Sequence, residues 1–308
     1  MEKILKSIKE FNKEELFQIK EVIDKMLQIE INKIKEKIVY TTNYNKYIPI
    51  TIICPTRERC QGIYYFLDSA YNTCWSCDNF EIIFVCDEDD KASPAWIDIC
   101  KEKFPKMDIS YHIRERTEFL NRDYFNWAVQ FGKGKYFWVT GDDLIFVHPE
   151  WDKCIFDYLD IYYGREFDRA KPPRDDKIVY INVQDDTPKP EDIDYPFSCF
   201  PIISKKAIET VGFLMIPEIP SWCSDYPIAL LYSQVNRFMD LSEKIFKHQG
   251  VETKFTKADS ITARLDKIMK KYNSPSLAEE WIKNQLPKLK GKIINSIGGP
   301  NKIGGYRR

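Results

Sequence analysis

Three polar clusters in this 308-residue chain stand directly after apolar runs: Pro55-Thr56-Arg57-Glu58-Arg59, Asp87-Glu88-Asp89-Asp90 and Thr140-Gly141-Asp142-Asp143. A hard divalent cation wants carboxylate oxygens and readily takes up phosphate oxygens. Two adjacent carboxylates beside a glycine, which lets a ligand approach, form such a site. A metal held there neutralises a diphosphate and makes it a competent leaving group. Asp-Asp pairs recur in this chain, and Asp89-Asp90, Asp175-Asp176 and Asp185-Asp186 read as solvated loop acids. Asp142-Asp143 differs, because it follows the most hydrophobic run and is itself followed by Leu144-Ile145-Phe146. The bland reading of that pair is a turn or a helix N-cap.

The elements that must position these clusters follow from apolar periodicity. Residues 48–54, 80–86, 108–113 and 135–140 read as strands, with an amphipathic helical segment after the first and helices near 93–103 and 120–131 after the others. The segment after the first strand carries Ile63, Phe66, Leu67 and Ala70 on one face. Strands alternating with helices imply βαβ units and a parallel sheet. In such sheets ligands sit outside the carboxyl ends of the strands, where the polar clusters fall. A Pro- and charge-rich stretch over 164–196 interrupts the order and holds one strand-like run, Ile178 to Val183. Phe200 to Ser204 reads as a strand followed by a helix that stops at Gly212. Residues 224–241 read as helix, and Ile245 to Phe255 as a return to the sheet. A helical segment over about 2–39 precedes all this, and a helix near 274–286 and a Gly-rich basic tail follow it. From Trp281 to Arg308 there are seven Lys or Arg and no acid.

Composition narrows the function. A formal net charge of -1 gives no global positive field for nucleic acid. Nine cysteines without framework spacing, and no secretory leader pattern, imply reduced thiols and a cytoplasmic protein. Cys74-Trp75-Ser76-Cys77 has the spacing of a zinc or redox pair, but no second Cys-x-x-Cys occurs to complete a zinc site. Gly-x-Gly-x-x-Gly and Gly-Lys-Ser/Thr loops are absent too, so dinucleotide and P-loop readings lack support. No run approaches the roughly 18 apolar residues of a membrane span.

The ordered strings ITIICPTRER (50–59), EIIFVCDEDD (81–90), LNRDYFNWAVQFGKGKYFWVTGDDLIF (120–146), FPIISKKAIETVG (200–212) and SWCSDYPIALL (221–231) resemble the GT-A glycosyltransferases, in particular the large inverting family 2. The resemblance spans about residues 48–255. It implies a Rossmann-like, mostly parallel α/β sheet flanked by helices. The segments would be an N-terminal helical part (1–45), the GT-A domain (46–256) and a C-terminal helix with a basic tail (257–308). It also implies roles. Pro55, Thr56 and Arg57 would line a nucleotide pocket with Glu58 close by, and Asp87 would accept from the base, which suits uracil or thymine. Arg122 and Asn126, at i and i+4, would reach the diphosphate or sugar. Asp142 and Asp143 match the later acids of the family's Asp-x-Asp motif and would hold Mn²⁺ or Mg²⁺, with His248 as a further ligand. Thr140 stands where the first acid is expected and is a poorer ligand. Asp225 matches the general base, although Ser224 or Asp225 would also serve as an N-cap. Trp222 and Ser224 would face the acceptor.

The implied activity is transfer of a sugar from a nucleoside-diphosphate sugar, UDP favoured, to an acceptor hydroxyl with inversion. The acceptor is open: a glycan, a lipid-linked sugar or another hydroxyl, with nucleic acid the less favoured choice. A nucleotidyltransferase would build a similar pocket, but Pro55 to Arg59 lacks that class's glycines. A non-catalytic nucleotide- or sugar-binding module is the third reading, kept open by Thr140. The N-terminal stripe suits a helical pair on the catalytic domain or, as the second reading, a homo-oligomer contact. The tail suits a disordered terminus, a lid placing Lys302, Arg307 or Arg308 on the diphosphate, or a cradle for an anionic acceptor.

Overall fold

The computed structural model describes residues 50–164, 176–184, 197–248, 264 and 267–297. The expected N-terminal helix, most of the 164–196 stretch and the end of the basic tail lie outside the described residues.

Strand β1 (Ile50–Thr56) lies inside the sheet and its residues are almost all buried, as the β-branched run requires of a strand covered on both faces. It pairs in parallel with β2 (Phe80–Asp87) on one side and β4 (Tyr136–Val139) on the other. Strand β3 (Asp108–Arg114) adds in parallel to β2 and forms an edge. Helix α1 (Cys60–Thr73) joins β1 to β2 and buries the expected face of Ile63, Phe66, Leu67 and Ala70. Helix α2 (Ala92–Lys103) joins β2 to β3. The chain therefore runs outward from β1 through β2 to β3, then returns to the far side of β1 as β4. That reversal makes the carboxyl ends of β1 and β4 the topological switch point, where a crevice must open.

Beyond β4 comes the short strand β5 (Leu144–Phe146), then helix α3 (Trp151–Gly164), then β6 (Tyr180–Val183) and β7 (Ile202–Ser204). Helices α4 (Lys205–Val211) and α5 (Asp225–Gln234) follow, with strands β8 (Phe238–Leu241) and β9 (Phe246–His248) after them. The seven-stranded sheet has the order β3-β2-β1-β4-β7-β6-β8 and is parallel except at β7, which is antiparallel to both neighbours.

Four expectations change here. The helix expected over 224–241 stops at Gln234, and Phe238–Leu241 is instead a strand beside β6. Asn236 takes a positive φ of 54°, which a helix cannot continue through, and the buried Arg237 grips Asp176 with Nε and Nη2, at 2.7 Å for the shorter contact. Asp176 is thus the anchor of an ion pair rather than a solvated acid. Of the run expected to return to the sheet, Phe246–His248 instead pairs antiparallel with β5 as a separate ribbon, and residues 249–255 lie outside the described residues. The expected single C-terminal helix is two, α6 (Ser274–Asn284) and α7 (Leu286–Ser296). Trp281, Leu289 and Ile293 of this pair share a core with Ile208 and Val211 of α4 and Leu231 of α5.

Candidate functional site

The crevice at the switch point is a cavity of about 500 Å³. Its first wall comes from strand ends. The Thr56 hydroxyl at the end of β1 donates to Asp142 Oδ2 at 2.6 Å, and Arg59 Nη1 meets Asp142 Oδ1 at 2.7 Å. Arg59 Nη1 is also 3.7 Å from Asp143 Oδ2, and His248 Nε2 of β9 is 3.5 Å from that same oxygen. The β5–β9 ribbon is what delivers His248 here: Leu144, just past the acid pair, is its register partner. Gly62 lets α1 approach, because a Cβ there would stand 2.7 Å from the Asp142 carbonyl oxygen. Gly141 makes room for a different group than expected, since its Cβ would stand 2.7 Å from the Asp143 carboxylate itself.

The electrostatics follow from burial. Burial pushes the Asp142 carboxyl up, the neighbouring Asp143 adds to this, and Arg59 and Thr56 oppose it. Burial also works against ionising Asp143, but His248 and then Arg59 hold its carboxyl below the usual range. Arg59 is therefore the cation that lets two adjacent carboxylates stand in a low-dielectric crevice. Sequence reasoning included it in a string without a role. Thr140, where an acid was expected, donates its hydroxyl to the Ile53 carbonyl at 2.9 Å and ties the turn to β1.

At the other end of this wall, Asp87 accepts from Arg57 Nη1 at 3.0 Å and from the Tyr124 hydroxyl. Arg57 also pairs with Asp89, and Arg116 Nε lies 3.7 Å from Asp87. The tyrosine was not anticipated; burial and then its bond to Asp87 push its phenol up to about 12. Asp90, read from sequence as a solvated acid, is 2% exposed. It accepts from the backbone N–H groups of Ala92 and Ser93 at the start of α2 and from that of Glu58. Glu58 itself has φ 53° and an exposed side chain, and it does not line the cavity.

The second wall is the loop between α4 and α5. It is held by a π-helical turn, Leu120–Asn126, of a kind frequent at functional sites. Asn121 Nδ2 donates to the carbonyls of Ile219 at 2.7 Å and Ser221 at 2.9 Å. Asn126 Oδ1 accepts from the N–H groups of Leu214 and Met215, and its Nδ2 donates to the Met215 carbonyl. Asn126 is thus spent on the loop and does not reach the cavity, and Arg122 points away to pair with Asp123 over the Phe119 ring. This wide turn replaces the first part of the helix expected over 120–131, and its asparagines meet a backbone that lies 88 to 100 residues on. Ser224 does not cap α5: its Oγ accepts from Ile216 N at 3.1 Å, and the cap bond is absent. Ser221, Trp222, Ser224 and Asp225 all line the cavity, Trp222 at 40% exposure. Arg264, before α6, also lines it and donates to the Thr117 carbonyl at 3.0 Å.

Of the expected site residues, the structure brings together Pro55, Thr56, Arg57, Asp87, Asp142, Asp143, Trp222, Ser224, Asp225 and His248 around one cavity. Glu58, Arg122 and Asn126 stand outside it. The expected metal set of Asp142, Asp143 and His248 is not a three-residue cage. Among the described residues, no group of three His, Cys, Asp or Glu side chains could hold an ion. Both Asp142 oxygens already accept, from Thr56 and from Arg59.

This sheet order, the crevice at its switch point and the flanking helices define the GT-A fold. No family model matches the chain, and no curated protein matches it. Solved structures are similar to it. S. aureus TarS shares 13% identity at a TM-score of 0.51, over 85% of this chain and 44% of its own. The mannosyltransferase PcManGT from Pyrobaculum calidifontis, in complex with GDP-Man and Mn²⁺, shares 13% identity at a TM-score of 0.49, over 82% of this chain and 74% of its own. Glucosyl-3-phosphoglycerate synthase from Mycobacterium tuberculosis, with Mg²⁺ and UDP, shares 11% identity at a TM-score of 0.45, over 82% and 80%. The fold rests on the likeness to TarS. No helix among the described residues is long and apolar enough to cross a membrane.

Proposed function

We propose that this chain transfers a sugar from a nucleoside-diphosphate sugar, UDP favoured, to an acceptor hydroxyl with inversion. One observation carries the reading: Asp87, the Arg59–Asp142–Asp143–His248 cluster and Asp225 line a single cavity at the switch point. These are, in order, a base acceptor, a diphosphate site and a general base. An ionised carboxylate accepts at about four lone-pair positions. Asp87 therefore retains capacity for an imide N–H of uracil beside Tyr124 and Arg57.

A divalent cation fits the chemistry of Asp143 and His248, a carboxylate oxygen and an imidazole nitrogen 3.5 Å apart, with diphosphate oxygens completing its shell. Imidazole favours Mn²⁺ over Mg²⁺. Such an ion would supply positive charge to the departing diphosphate. Arg59 supplies a fixed share of that charge from the protein itself. Asp225 takes the proton of the acceptor hydroxyl as its oxygen attacks the anomeric carbon from the face opposite the leaving group. The anomeric carbon–oxygen bond to the diphosphate breaks, and its electron pair leaves with the nucleotide. Base catalysis of this kind contributes about 10²–10⁴-fold.

Replacing Asp225 by Asn tests the reading. Sugar-dependent release of nucleoside diphosphate, with water or an added sugar as attacking hydroxyl, is expected to fall by at least about 10²-fold while donor binding persists. Unchanged turnover removes Asp225 from the role of base.

A further inference from the structure

The second wall contains a feature that no role above uses. Ser221 is 5% exposed and lines the cavity, and its Oγ is buried without a hydrogen-bond partner among the described residues. Buried hydroxyls are nearly always paired, since burial without a partner is unfavourable. This one is not an accident of a loose loop. Asn121 holds the backbone on both sides of it, through the carbonyls of Ile219, Pro220 and Ser221. Ser224 Oγ fastens the loop's far end to Ile216, and Cys223 is kept at φ 73°, a strained value for a residue with a side chain. The loop is thus over-determined, and one residue of the cavity lining carries an unmatched hydroxyl.

From this we infer that Ser221 Oγ hydrogen-bonds a ring hydroxyl of the donor's sugar. The inference rests on the nucleotide-sugar reading above. The sugar must lie between the diphosphate site at Asp142–Asp143 and the carboxylate of Asp225. Ser221 stands four residues before Asp225 in the wall it shares with it. Leu120, Met215 and Trp222 of the same lining offer apolar surface to the C–H face of a sugar ring. The hydroxyl both donates and accepts, so it pairs with a sugar hydroxyl in either sense. Ser221 is thereby a donor-specificity residue, reading the sugar and leaving the nucleotide to the strand-end wall.

Calorimetry with paired ligands tests this: UDP against UDP-sugars, GDP against GDP-sugars, dTDP against dTDP-sugars. Ser221→Ala is expected to bind the bare nucleoside diphosphate as the wild type does, which also reports that the variant is folded. It should bind the matching nucleotide-sugar about tenfold more weakly. Ser221→Thr, which retains a hydroxyl, should recover most of that loss. Unchanged nucleotide-sugar binding by Ser221→Ala overturns the assignment, and so does equal weakening of both ligands, which marks a structural role. A wild-type chain that binds bare nucleotide and sugar nucleotide equally tightly also overturns it. A wild-type chain that binds none of these ligands removes the nucleotide-sugar reading itself, and Ser221 with it.

Discussion

The two walls of the cavity are built on opposite plans. The strand-end wall is made of charges that satisfy one another: Arg57 with Asp87 and Asp89, Arg59 with Asp142 and Asp143, His248 with Asp143. The cavity-lining residues of the loop from Met215 to Asp225 are apolar apart from Ser221, Ser224 and Asp225, and the loop's backbone is fastened by two asparagines. The first plan suits a charged ligand, because each internal ion pair can be exchanged for a pair with phosphate. The second suits a neutral one, because the Ser224 hydroxyl is spent on the backbone and the Ser221 hydroxyl is unmatched among the described residues. A nucleotide-sugar has these two halves.

The largest effect expected from breaking this contrast is at Asp142. Asp142→Ala leaves Arg59 without its main partner in the crevice. It should cost about 3 kcal/mol in denaturant unfolding and abolish nucleotide-sugar binding. A variant as stable as the wild type shows that Asp143 alone carries Arg59. Next is Asn121→Ala, which frees two loop carbonyls and should cost about 2 kcal/mol. It should weaken nucleotide-sugar binding while leaving nucleoside-diphosphate binding close to the wild type. Loss of both together would show that the walls are not separable.

Asp90→Ala removes the acceptor at the start of α2 and should cost ~1 kcal/mol near neutral pH. Burial works against ionising Asp90, but Ser93 and the backbone N–H groups it meets hold its carboxyl below the ordinary range. The contribution is therefore complete above the unfolded value of about 3.9 and is lost as pH falls through the folded one. The gap between wild type and variant in thermal melts should close in acid; a gap constant down to pH 3 contradicts it. The smallest effect belongs to Arg122→Ala, outside the cavity. It should change stability by no more than about 0.5 kcal/mol and leave donor binding intact. A tenfold loss of donor affinity would return Arg122 to the site.

The walls also differ in how far they could be read from sequence. Asp87, Asp142 and Asp143 are legible because each follows an apolar run, and the parallel sheet sends such ends to one crevice. The helix stripe of α1 is legible for the same local reason. The role of Arg59 is not, since it depends on a carboxylate 83 residues away. Asn126 is expected at the diphosphate or sugar and Asn121 carries no expectation, and only the folded loop shows what they hold. β8 was hidden because Phe238 to Leu241 continues an apolar pattern that Asn236 breaks by backbone conformation. Periodicity reports burial; it does not report which polar group meets which across the fold.

The most direct test of the nucleotide-sugar assignment is calorimetric titration of the wild-type chain with UDP-, GDP- and dTDP-sugars, with and without Mn²⁺. Binding of at least one nucleotide-sugar is expected, with UDP-sugars tightest and Mn²⁺ tightening it further. Failure of every one of them to bind, with the ion present or absent, contradicts it.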